Sequence, residues 1–532
     1  LKVLKKLKES WVSVIAIVIL LAIQAAGDLT LPDYTSKIVN IGIQNGGIEN
    51  VAPEVIRKSE MENLLIFTEE DDKILSLYEE ISKENLDNKE YEKLVKKYPA
   101  LENEALYKIK KVNKNEQNEL NSIMAKPLMS ISMLENEETS EQIKQQMLEQ
   151  ITKNQEMQNT PISQNAQSTQ EEQIAQAKIK EQQIKAMQNM SLIEIIKQMP
   201  KEQLEKMLEN INQKINDMQE SILEQAAIQE VKNEYKAIGM DTNQIQNQYI
   251  IIAGLKMLGI SFIIMVSAIS IMCLSARVAA RLAKTLREKV FKKVLSFSNK
   301  EFSEYSTASL ITRSTNDIQQ IQGLIAILFR VLVYAPIIGI GGFLRVLRQS
   351  DNSMAWIIGV AILAILFVVG TLFIIAMPRF KKLQQLIDKL NLVAREILTG
   401  LPVIRAFNTE KKEEKRFDTA NIELTKTNLF VNRAMSFMMP TLMLIMNGIS
   451  LLIVWVGANG IDNGTMQVGN MMAFIQYTMQ IVMSFLMISM VSIMLPRASV
   501  SANRINEILE TDEVIKDSKE PCLLYTSDAA DE

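Results

Sequence analysis

The chain has 532 residues, is 47% hydrophobic and sets 58 Lys and Arg against 62 Asp and Glu, a net charge of −4. It contains no histidine, which excludes imidazole acid–base chemistry and the commonest nitrogen ligand for zinc or iron. Its two cysteines, Cys273 and Cys522, are too few for a disulfide framework or a thiolate zinc site, so no catalytic, cofactor-binding or metal-ligating set is expected in the chain.

Six apolar stretches reach the roughly 20 residues that a membrane-spanning helix needs: 11–31, 250–274, 325–344, 354–377, 435–458 and 471–495. Lys2, Lys5, Lys6 and Lys8 precede the first and place the N-terminus in the cytoplasm. Gln24, Asp28 and Thr30 make its far end polar, and Pro32 and Asp33 are expected to stop it. A cleaved signal peptide is the alternative for this segment, but the later spans already require a multi-pass protein. Asn45-Gly46-Gly47 then marks a turn. The long polar stretch up to residue 248 falls outside by the positive-inside count. It is rich in Gln, Glu, Lys and Asn, and residues 140–190 approach low complexity. Leu204, Leu208, Ile211, Ile215, Met218 and Ile222 step by four and three, a heptad seam that predicts a helical hairpin or short coiled coil. A solvated spacer and a partner-binding surface are both open readings of this region. Gly239 is placed to close its last helix, and Asp241 or Thr242 to cap the next.

No proline occurs between Pro200 and Pro336, so one helix can run from Thr242 to Leu295, on the order of 80 Å at about 1.5 Å per residue. The hydrocarbon core takes up only about 30 Å of that. The remainder carries Val278, Leu282, Leu286, Val290 and Val294 at every fourth position. Eight Lys and Arg and one acid, Glu288, lie in 277–300, which reads as an amphipathic cytoplasmic lever. Span three returns outward, with Arg345 and Arg348 on the external side against the charge rule, and span four runs inward after a turn at 349–353. In the second cytoplasmic stretch, 378–433, Leu383, Leu386, Leu390, Val393 and Ile397 share one face. Gly400 and Pro402 are expected to break that helix, leaving Val403 to Phe407 as a short crosswise element at the tip. Span five contains Pro440, 459–469 is a Gly-rich external turn, and span six runs on through 496–510.

Inside the spans, Arg330 is a cavity candidate or an Arg that snorkels to the headgroups. Gln476, Tyr477 and Gln480 put polar groups on neighbouring turns of span six, facing the bundle interior. The 13 methionines between 435 and 494 suit either a promiscuous cavity or lipid-facing filler. Lys256 lies close enough to the external end of span two to snorkel. The basic loops follow from topology, and no nucleic-acid partner is expected.

The two cytoplasmic loops resemble those of ATP-binding cassette exporters, especially bacterial multidrug-type half-transporters. The resemblance rests on FSEYSTASLITRSTNDIQQIQ (302–322), REILTGLPVIRAFNTEKKEEKRF (395–417) and SANRINEILE (501–510), and covers residues 1–47 and 240–515. It implies short coupling helices near 299–309 and 403–409, with Phe302, Tyr305, Ser306, Thr307, Val403, Arg405 and Phe407 facing a nucleotide-binding domain. It also implies ATP and Mg bound by that domain, a second half-transporter, identical or different, and a bacterial plasma membrane. The chain itself departs from the pattern. None of its 19 glycines is followed by Lys, so no GxxxxGK[ST] phosphate loop exists, nor any LSGGQ-like signature. Its end, CLLYTSDAADE, reads as an adapter remnant, with the native sequence stopping near Pro521, and Leu1 stands where a Met is expected.

The reading is therefore an all-α membrane protein with six spans, long cytoplasmic extensions and an extracytoplasmic helical or coiled-coil insert. Its parts are residues 1–47 (first span), 48–240 (insert), 241–510 (spans two to six with two coupling loops) and 511–532 (truncated linker). By resemblance it is the membrane half of an exporter of the multidrug, lipid or peptide type. The alternative is a membrane-anchored sensor or adhesin using the external coiled-coil region.

Overall fold

The computed structural model describes residues 10–136, 140–141, 144–145, 192–197, 201–216, 218–348 and 354–512. The N-terminal lysines, most of the low-complexity stretch, the 349–353 turn and the tail with Cys522 lie outside these residues. The described chain is predominantly helical, with six helices long and apolar enough to cross a membrane. It divides into two compact units, one of Leu1–Tyr34, Lys256–Gly457 and Met471–Glu532, the other of Thr35–Leu255 and Ala458–Asn470.

In the first unit, α1 (Trp11–Lys37) does not stop at Pro32 but runs through it. Pro32 removes one backbone donor, yet its φ suits a helix, and spanning helices tolerate the loss where neighbours satisfy the freed carbonyl. The single long helix expected from the missing prolines is present as α9 (Thr242–Leu295), 54 residues long. Its stripe of Val278, Leu282, Leu286 and Val290 is buried against Ile17 and Leu21 of α1. The same core takes in Ile318, Ile321 and Ile325 of α12 (Asn316–Phe329) and Ala502, Ile505 and Ile508 of α16 (Val468–Glu510). Four-residue spacing thus does in the lever what it promised: one face packs, and the basic faces stay wet.

Span three is not one regular helix. A π-helical turn, Arg330–Tyr334, separates α12 from α13 (Ala335–Arg348). Helix α14 (Ala355–Ala406) passes through Pro378, Gly400 and Pro402 without the expected break, and α15 (Glu410–Asp462) returns through Pro440. The crosswise element at 403–409 is instead a last helical turn and a tight reversal. Asn408 there adopts φ 52°, the left-handed conformation that Asn tolerates best after Gly. Ion pairs zip the two legs together: Lys389 with Glu423 at 3.2 Å and Arg416 with Glu396 at 2.6 Å, all half-exposed. Each such surface pair is worth only about 0–1 kcal/mol. Ile365, Leu442 and Val482 bury a second contact among α14, α15 and α16.

The second unit contains an element the sequence did not announce, a three-stranded antiparallel sheet in the order β1-β3-β2. Its strands are Val55–Arg57 (β1), Tyr78–Ile81 (β2) and Leu106–Ile109 (β3), with Tyr107 opposite Ile56 on one side and Glu80 on the other. Strands of three or four residues are too short for period-two alternation to show. Around them lie α2 (Lys58–Leu65), α3 (Asp71–Leu77), α4 (Asn88–Lys97) and α5 (Lys114–Glu135). Helix α5 opens with a capping box in which Asn113 and Glu116 satisfy each other's backbone donors. The unit continues through α6 (Leu192–Lys197), α7 (Lys201–Asn216) and α8 (Glu220–Ile238).

The heptad seam is not one coiled coil, because the chain breaks between Asn216 and Glu220. Ile215 and Leu223 are buried, and Leu204, Leu208 and Ile211 are half-buried against the insert's own core. A helix docking on a domain core shows the same three-four spacing as a coiled coil, so the pattern alone cannot separate them. Gly239 ends α8 in the left-handed conformation at φ 87°, and Asp241 caps α9 by accepting from the backbone of Asn243 and Gln244. The Gly-rich turn between α15 and α16 joins this unit through Asn40, which accepts the Gly469 N–H at 2.7 Å and donates to Asn470 at 3.1 Å.

Candidate coupling and translocation sites

The first tip is built by local capping and then tied to span six. Ser298 and Glu301 form a capping box that starts α10 (Asn299–Glu304), and Ser306 caps α11 (Thr307–Ser314) by accepting from the Ser309 N–H at 3.2 Å. Between these short helices Tyr305 turns inward. Its ring stacks on Phe297 at 6.0 Å, lies 5.1 Å from the Arg313 guanidinium, and its hydroxyl meets Thr511 at 3.0 Å. Arg313 in turn donates to the Arg504 carbonyl and to Glu507, both at 2.8 Å. Asp317, buried, accepts from Ser501 at 2.8 Å with Arg504 3.9 Å away. Residues 297–317 are thus fastened to the C-terminal end of α16. Of the residues expected to face a partner here, Phe302 (43% exposed) and Thr307 do point outward, Ser306 works as a cap, and Tyr305 is committed to the tie.

At the second tip Val403, Arg405 and Phe407 are all exposed, Phe407 at 74%. The reversal beneath them is held by backbone bonds, including Thr409 N–H to the Ile404 carbonyl at 3.0 Å.

Within the spans the structure gathers a polar ladder from three helices. The Tyr334 hydroxyl donates to Asp28 of α1 at 2.6 Å, and the Arg330 guanidinium sits 5.9 Å from the Tyr334 ring. The Gln480 amide donates to the Asp28 carbonyl at 2.9 Å. Further along α1, Asp33 accepts from Tyr477, which is fully buried and also donates to the Leu29 carbonyl at 3.1 Å; Asp33 also pairs with Arg345. Nε of Arg330 and Oε1 of Gln480 are buried without a partner. Intramembrane ionisable groups that pair with one another in this way face the bundle, not the lipid.

Three of the four expected cavity residues, Arg330, Tyr477 and Gln480, therefore join one network, while Gln476 is half-buried outside it. Sequence reasoning missed its two hubs. By sequence alone Asp28 only makes the span's far end polar, Asp33 is a helix stop and Arg345 an exception to the charge rule; an acid in span one and a base in span three were the available signal. The close approach of α1 and α13 is confirmed at Gly341, where a Cβ would meet the Leu29 side chain at 2.5 Å.

Residues 204–485 match the family model of the ABC transporter transmembrane region, which takes in five of the six spans. The chain belongs to that family. It is 37% identical over 272 residues to an uncharacterized ABC transporter ATP-binding protein of Mycobacterium bovis, covering 50% of this chain and 46% of that protein. Over 243 residues it is 25% identical to a multidrug resistance-like ATP-binding protein of Buchnera aphidicola (45% and 41%). Over 208 residues it is 27% identical to the ATP-dependent lipid A-core flippase of Pseudomonas aeruginosa (38% and 33%). The chain spans less than half the length of these relatives.

Proposed function

We propose that the chain is the membrane-spanning half of an ATP-driven exporter of drug-, lipid- or peptide-like molecules. It works with a second six-span half, identical or different, and with nucleotide-binding domains seated on its two tips. The observation that carries this reading is the pairing of the tips. One is bolted to the end of span six through Tyr305, Arg313 and Glu507, and the other offers the bare Val403–Phe407 turn.

ATP and Mg would supply the driving reaction on the partner domain. This chain's own contribution is mechanical. A push on 299–309 is carried by the Arg313–Glu507 and Ser501–Asp317 contacts into α12, which leads into the π-helical turn of Arg330 and Tyr334, and into α16, which holds Tyr477 and Gln480. Opening the pathway to the outside would require the Asp28 and Asp33 contacts to exchange partners, since breaking them without replacement leaves charge in the bilayer. The positive-inside count supports a cytoplasmic N-terminus and an external insert, and the bacterial origin of the similar proteins supports a bacterial plasma membrane.

The packing of Leu204, Leu208, Ile211, Ile215 and Met218 against the insert core favours the exporter reading over a sensor or adhesin that uses an external coiled coil. The test is reconstitution of the full-length gene product, with its partner half, in liposomes. ATP hydrolysis and ATP-dependent movement of a lipid or drug probe are expected. Folded protein that shows neither overturns the reading.

A further inference from the structure

The insert buries more acid than it neutralises. Glu60 on α2 and Glu230 and Glu234 on α8 are 6%, 4% and 4% exposed, and both helices pack on α5 and β1. Glu234 is matched: it accepts the Arg57 backbone N–H at 2.7 Å and the guanidinium at 2.7 to 3.1 Å. Glu60 is not. Its Oε2 accepts from Asn63 at 3.0 Å, and its Oε1 is buried with no partner. Glu230 takes a hydrogen bond from Asn233.

The charges that face these two carboxyls are mostly negative. Glu60 meets Glu234 of α8, Glu135 of α5 and, as the one cation among its strongest neighbours, Arg57 of β1. Arg57 is already engaged by Glu234 and lies 4.0 Å from Glu104. Glu230 meets Glu135, Glu60 and Glu234, with no cation among its strongest neighbours in the described residues. A buried carboxylate lacking both a cation and a full set of donors is costly, and it takes up a proton or a metal ion to relieve that cost. Among the described residues no three acids are arranged to hold a metal ion.

We propose that Glu60 and Glu230 form a proton-binding site that fastens α2 and α8 onto β1 and α5, so that the fold of the insert responds to pH. Burial first, and the neighbouring carboxylates second, push both carboxyls up to about 7. The sign follows from linkage. A carboxyl whose folded value exceeds the ordinary 4.5 contributes stability that is complete below about 4.5 and lost as pH rises through about 7. The insert therefore tightens in acid and loosens in mild alkali. This inference does not depend on the exporter reading.

The experiment is backbone hydrogen exchange on the full chain in lipid nanodiscs, followed in peptides covering 58–65 and 225–238 and corrected for the intrinsic pH dependence of exchange. Protection at pH 6 should exceed that at pH 8 by about tenfold or more, one pKa unit corresponding to a factor of ten. The Glu60→Gln, Glu230→Gln double variant, a mimic of the protonated pair, should keep its protection at pH 8. Glu135→Gln, on an exposed side chain, should shift the midpoint to lower pH and serves if the double variant does not fold. Equal protection at both pH values, or an unshifted midpoint in Glu135→Gln, overturns the proposal. So does full restoration at pH 8 by millimolar calcium chloride, which would make the site a metal site.

Discussion

Tyr334 donates its hydroxyl to Asp28 at 2.6 Å, joining span three to span one across 306 residues of sequence. The bond sits at the end of a π-helical turn, the kind of local widening that recurs at functional positions in helices. Its neighbours Arg330 and Gln480 each keep one buried atom unpaired, so this part of the ladder has spare hydrogen-bonding capacity.

Tyr334→Phe should lower the thermal stability of the purified chain, and a double-mutant cycle with Asp28→Asn should return a coupling of roughly 0.6–1.7 kcal/mol, the usual range for side-chain hydrogen bonds between membrane helices. Additive single effects would show that the two groups do not act together.

Asp33 joins Arg345 and Tyr477, so Asp33→Ala removes the counter-ion of one and a hydrogen-bond acceptor of the other. Tyr477 keeps the Leu29 carbonyl and Arg345 is part-exposed, so the cost should be about 0.5–1.5 kcal/mol, more than that of either Tyr477→Phe or Arg345→Ala alone. Thermal unfolding of the three variants in one detergent decides the order.

Tyr305 separates ring from hydroxyl. Tyr305→Phe loses the Thr511 bond and keeps the stacking on Phe297, whereas Tyr305→Ala loses both. The expected outcome is near-normal transport per ATP in the Phe variant of the reconstituted transporter. The Ala variant should hydrolyse ATP with transport reduced several-fold. Loss of ATPase and transport in equal proportion would count against a tie that transmits force.

Phe407→Ala removes an exposed side chain, so the stability of the isolated chain should change by no more than about 0.5 kcal/mol. Binding of the nucleotide-binding domain, read by biolayer interferometry, should weaken by about tenfold, the effect of an aromatic anchor worth some 1–2 kcal/mol. A destabilised chain with unchanged binding would assign Phe407 to the fold.

Gly47→Ala should destabilise the second unit by about 1–3 kcal/mol. Its φ is +86°, and a Cβ would meet the Gln246 Cα at 2.8 Å, backbone that cannot rotate away. Increased protease cleavage around residue 47, without loss of the core at Val278 and Leu286, is the readout.

What the sequence determined by itself is the set of features that depend on one segment at a time. The six spans follow from apolar length, the unbroken Thr242–Leu295 helix from the absence of proline and glycine breaks in its lever, and the buried lever face from a four-residue repeat. Gly239 and Asp241 were legible because caps act through immediate neighbours. What only the tertiary structure decided is which distant residues meet. Asp28 and Asp33 look like the polar end and stop of a span until the π-helical turn, α13 and α16 bring Tyr334, Arg345 and Tyr477 to them. The heptad seam looks like a coiled coil until the rest of the insert supplies the surface it packs on. Prolines 32 and 402 look like helix stops, because local chemistry predicts a lost bond and not the surroundings that absorb it.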